Sequence, residues 1–80
     1  MSELSVKNAS INVIQVQFND ETAPVAVNPG HTRVTSVIGD FKVFKAKVMK
    51  YSGVFSGIDN CQVIVQETNV GSYSTTHLQV

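Results

Sequence analysis

The side chains able to do chemistry in this chain are few and scattered. His31 and His77 are its two histidines and Cys61 its one cysteine. A histidine beside a carboxylate can move protons, and two histidines with a carboxylate can hold a metal ion. His31 follows a turn signal and His77 sits near the C-terminus, and neither has a partner at a recognisable spacing. Cys61 lies in an apolar run, where a thiol is buried and inert unless a base activates it. A single cysteine permits neither an internal disulfide nor a zinc cluster. The chain also lacks a glycine-rich phosphate loop, a serine elbow and a metal-ligand motif. The sequence therefore points away from an enzyme, with no catalytic residue, metal or cofactor assigned.

Two other groups suit binding. Tyr51, Asp59, Asn60, Asn69, Tyr73 and His77 are of the types that recognise sugars. An aromatic face meets the C–H patch of the ring, and amides or carboxylates meet its hydroxyls. The structural alternative places Phe55 in the core and the tyrosines on a sheet surface. The second group is basic, because four of the six basic residues, Lys42, Lys45, Lys47 and Lys50, fall in one segment. If that segment carries one bulge, Lys42, Lys45 and Lys47 share the solvent face and can contact an anionic surface. The same lysines would equally solubilise a sheet face and guard an edge against pairing.

Extended strands must position these residues. Residues 41–48 alternate apolar and polar, and residues 11–18 show the same pattern. Period two puts alternate side chains on one face of a sheet. In each copy the apolar residues switch phase midway, at Val13-Ile14 and at Val43-Phe44. A β-bulge at each switch would return both groups to one face, and burial on both faces or a strand passing between two sheets would also explain it. A helix over 41–48 would align Phe41, Phe44 and Val48 but leave Val43 off the stripe.

Further strands are expected at 4–8, 25–27, 32–38, 58–68 and 72–80. Asn28-Pro29-Gly30 is the strongest turn signal, with proline setting one φ and glycine accepting the positive φ of a type II turn. Gly39-Asp40 reads as a two-residue hairpin link. Tyr51-Ser52-Gly53, Ser56-Gly57 and Asn69-Val70-Gly71 read as breaks. The expected fold is an all-β, antiparallel β-sandwich or small barrel of six to seven short strands, one domain over residues 1–80.

Eighty residues with six basic and six acidic side chains carry a formal net charge of zero. That balance argues against a nucleic-acid binder and weakens the resistance to self-association. A domain this small buries only about 60% of its unfolded surface, so a homo-oligomer is expected. The start Met1-Ser2-Glu3-Leu4 has neither a basic segment nor an apolar run, so no signal peptide is expected. The expected location is the cytoplasm, or release by a route that needs no signal peptide. The sequon Asn8-Ala9-Ser10 has no meaning in that setting.

Val6-Lys7-Asn8, the Ile-x-Val strand after it, and Val27-Asn28-Pro29-Gly30 before a β-branched strand resemble a group of small β-sandwich proteins from mushrooms and other fungi. In those proteins an early VKN strand leads to a PG loop. The resemblance covers roughly the first half of the chain. It departs in lacking the tryptophan that follows the PG loop in that group, and no site residue carries over. The resemblance implies a cytosolic, non-enzymatic protein of lectin-like or defence-related character. Together these readings lead to a non-catalytic binding module with a glycan as the leading ligand. The alternatives are a self-assembling structural protein and a membrane-active defence protein that meets a bilayer through the lysines with Tyr51 and Phe55.

Overall fold

The computed structural model describes residues 2–58 and 60–67, and the backbone of 73–79. Every element is a strand: β1 (Leu4–Asn8), β2 (Ile14–Phe18), β3 (Val25–Val27), β4 (Thr32–Thr35), β5 (Gly39–Lys45), β6 (Val48–Phe55), β7 (Cys61–Glu67) and β8 (Tyr73–Gln79). They form two four-stranded sheets, ordered β4-β1-β7-β8 and β3-β2-β5-β6. The chain is all-β, as its alternation predicts. Between the sheets lie Leu4 and Val6 of β1, Val63 and Val65 of β7, Ile14, Val16 and Phe18 of β2, Val27 of β3, Phe41 and Val43 of β5, and Phe55 of β6. These are alternate residues along each long strand, so burying one face fixes every register.

All ladders are antiparallel except one. β1 and β7 run parallel, with Leu4 opposite Cys61 and Val6 opposite Val63. An entirely antiparallel arrangement was the expectation. Between β1 and β7 the chain crosses to the second sheet for β2 and β3, returns to the first as β4, and crosses again for β5 and β6 before β7 enters beside β1.

The strand expected over 11–18 starts only at Ile14, and Ile11 is 88% exposed. A polar knot displaces its first half. Asn8 is fully buried. Its Oδ1 accepts from Ser10 N at 3.0 Å and Ser10 Oγ at 2.6 Å. Its Nδ2 donates to Asn12 O at 2.8 Å and Val27 O at 3.0 Å. These side-chain bonds compete with a β-ladder for the same backbone groups and fold 9–13 across from one sheet to the other. No bulge at Val13-Ile14 is needed, because Ile11 and Val13 stay outside.

The segment 41–48 is likewise interrupted. β5 ends at Lys45, and Ala46-Lys47 makes a two-residue turn with φ of 50° and 67° before β6 begins. The irregularity expected at Val43-Phe44 is present in the β5/β6 ladder, but the additional residue is Lys50 of β6, since Val43 faces Tyr51 and Phe44 faces Met49. Gly39-Asp40 begins β5 rather than turning, and Ser36–Ile38 carry the chain from β4 to the other sheet. Tyr51-Ser52-Gly53 runs inside β6. Asn28-Pro29-Gly30 forms the expected turn, with Gly30 at φ 81° and His31 N donating to Asn28 O at 3.0 Å. The break expected at Asn69-Val70-Gly71 lies outside the described residues.

Candidate functional site

The parallel β1/β7 pair sets two outward-facing rows side by side. Leu4 and Val6 point into the core, so Ser5 and Lys7 face outward, with Ser5 opposite Gln62 and Lys7 opposite Ile64. At the open end of the pair, Asn60 Oδ1 accepts from Glu3 N at 3.0 Å and Cys61 N donates to Glu3 O at 2.9 Å. These bonds hold the chain just before β1 against the entry of β7. The result is a shallow groove of about 240 Å³ lined by Glu3, Ser5, Asn60, Cys61 and Gln62. A carboxylate, a hydroxyl and two amides give it both donors and acceptors. Cys61 is a free, half-buried thiol packed against the core.

The opposite sheet offers a smaller cleft of about 80 Å³ between Gln17, Phe18, Asn19, Glu21, Asp40 and Lys42. Its floor is rigid. Arg33 Nη1 and Nη2 bond the two Glu21 carboxylate oxygens at 2.9 and 2.7 Å, and Nη1 also donates to Val16 O at 2.9 Å. The guanidinium lies 4.6 Å from the Phe18 ring centroid, a cation–π placement. Arg33 belongs to β4 and Val16 to β2, so this residue ties the two sheets together. Its hydrogen bonds hold the Glu21 carboxyl below the usual carboxylate range, against the opposing effect of burial, with help from the Phe18 N–H. The Arg33 guanidinium is raised in turn, chiefly by the same bond.

The residues singled out in the sequence are dispersed. Asn60 lines the groove. Tyr51 sits on β6 of the other sheet, half-buried, its ring 5.8 Å from that of Phe41 and packed against the core. Phe55 is core. Asp59 and Asn69 lie outside the described residues, and Tyr73 and His77 are placed by backbone alone, opposite Glu67 and Val63. His31 is exposed in the turn after β3, its carbonyl accepting from Asn8 N at 2.9 Å. The lysines do not line up along one face. Lys42 faces outward from β5, Lys45 is half-buried and pairs with Glu67 at 3.1 Å, and Lys47 occupies the turn. Glu3, Ser5 and Gln62 had no local signal, because only the long-range parallel pairing brings them together.

Among the described residues, no group of three His, Cys, Asp or Glu side chains is placed to hold a metal ion, and no helix is long and apolar enough to cross a membrane. No protein-family model matches the chain, and no curated protein or solved structure matches it.

Proposed function

We infer that the protein is a non-catalytic binding module and that the β1/β7 groove takes a hydroxyl-rich ligand, with carbohydrate the leading class. The observation that carries this reading is the juxtaposition of Ser5 with Gln62 beside the Glu3–Asn60 contact. Sugar hydroxyls both donate and accept, and a row of carboxylate, hydroxyl and amide groups answers both needs. The groove is shallow and about 240 Å³ in volume, so a ring seated there would lie partly in water. The resemblance of the first half of the chain to small fungal β-sandwich proteins favours the same class.

A glycan array followed by calorimetry tests it. Gln62→Ala and Ser5→Ala should each weaken binding about ten-fold, the effect of one lost hydrogen bond of roughly 1.4 kcal/mol, while the circular dichroism spectrum stays that of the parent. Absence of binding to every sugar, or unchanged affinity in both variants, contradicts the reading.

A further inference from the structure

A net charge of zero conceals a strong separation of charge. Between Phe41 and Ile58 the chain has four lysines and no carboxylate, whereas the rest holds only Lys7 and Arg33 against six carboxylates. The structure gathers that excess on the β5–β6 hairpin. Lys45 and Val48 close the ladder, Ala46-Lys47 forms the tip, and Met49 pairs across from Phe44. Lys47 and Lys50 are exposed there, and between them Val48 and Met49 keep 56% and 53% of their surface in solvent. Lys45 is held toward the body of the molecule by Glu67. The tip therefore presents one exposed apolar side chain on each face, Val48 and Met49, close to cations.

We propose that the β5–β6 hairpin docks the protein onto an anionic lipid surface. The occupant follows from charge and from the form of the tip. Exposed lysines are drawn to acidic headgroups, and their long stems let the ammonium groups stay at headgroup level while neighbouring apolar side chains sink toward the acyl boundary. Attraction then scales with both the buried apolar area and the charge count. The acidic remainder of the chain orients the molecule with the hairpin toward the surface. Nothing in this depends on the β1/β7 groove, so the two proposals fail separately.

Sedimentation of the full chain with vesicles decides it. Vesicles of equal parts phosphatidylserine and phosphatidylcholine should carry the protein down at low salt, phosphatidylcholine alone should not, and added salt should release it. Lys47→Gly is the informative variant. It removes one charge where φ is 67°, a conformation glycine accepts more readily than lysine, so it weakens vesicle binding about five-fold while the melting temperature rises. Met49→Ser weakens binding without changing the charge. Failure to sediment with the anionic vesicles at low salt overturns the proposal, as does equal sedimentation with phosphatidylcholine. Salt-sensitive self-association without lipid, abolished by Lys47→Gly, also overturns it and assigns the hairpin to a second copy of the chain.

Discussion

Asn8 Nδ2 donates to the carbonyl of Val27 at 3.0 Å, joining β1 of one sheet to β3 of the other through a side chain with no exposed surface. With Asn12 O and the two Ser10 donors, all four hydrogen-bonding positions of the amide are used. A satisfied buried network of this kind specifies one arrangement of the strands it joins, and a partly satisfied one is costly.

Asn8→Ala should therefore lower the unfolding free energy by about 2–3 kcal/mol, since it removes the Asn8 bonds to the Val27 carbonyl and to Ser10 N–H and leaves Asn12 O only the Ser10 hydroxyl. Asn8→Asp should be comparably harmful at neutral pH, because it replaces a donor with an acceptor facing two carbonyls. Urea unfolding midpoints measure both. A loss below half a kcal/mol in each would mean that the knot is not structural.

The hairpin turn predicts the opposite sign. Ala46 and Lys47 both sit at positive φ, 50° and 67°. A non-glycine residue there is disfavoured by about 1 kcal/mol or more, and two-residue hairpin turns of this kind prefer Asn-Gly. Ala46→Asn with Lys47→Gly should raise the melting temperature by roughly 4–8 °C per kcal/mol gained. An unchanged or lowered melting temperature would contradict the turn.

Gly53 lies against an aromatic ring. A Cβ at this position would come within 2.7 Å of Phe41 Cζ and 3.2 Å of Tyr51 Cε2. The Phe41 ring is fixed in the core, so it has little room to yield. Gly53→Ala should destabilise by about 1–3 kcal/mol, read by the same urea titration. A neutral result would place the ring elsewhere.

Acid should weaken the fold through Glu21. Its carboxyl titrates lower in the folded state than its ordinary value of 4.5, chiefly because of the Arg33 bonds. A depressed folded value contributes stability that is fully present above the unfolded value and is lost as pH falls from there through the folded one. Parent stability should decline below about pH 4.5 more steeply than that of Glu21→Gln, which at neutral pH should be less stable by about 1 kcal/mol. Parallel pH profiles for the two proteins would remove the ion pair from the account.

The core was legible because alternation is a local signal. Leu4 with Val6, Ile14 with Val16 and Phe18, Phe41 with Val43, and Val63 with Val65 each occupy the phase that burial selects. The turn at Asn28-Pro29-Gly30 was legible because proline fixes its own φ and glycine alone accepts a positive φ without steric cost. Ala46-Lys47 carried no such mark, since neither residue advertises a positive φ. Gly39-Asp40 advertised a turn and instead entered a strand, with Gly39 at φ 135° beneath the Asn19 side chain. The buried role of Asn8 had no local sign, because burial of an amide depends on partners supplied by Val27 and Asn12. The groove was the least legible feature, because Glu3 and Asn60 are 57 residues apart and meet only through a parallel pairing.

The binding reading is tested most directly by titrating isotopically labelled protein with mono- and oligosaccharides while following every backbone amide by NMR. Saturable shifts concentrated at Glu3, Ser5, Cys61 and Gln62, with the β5–β6 hairpin unmoved, are the predicted result. Shifts centred away from β1 and β7, or no saturable shift with any sugar, would contradict it.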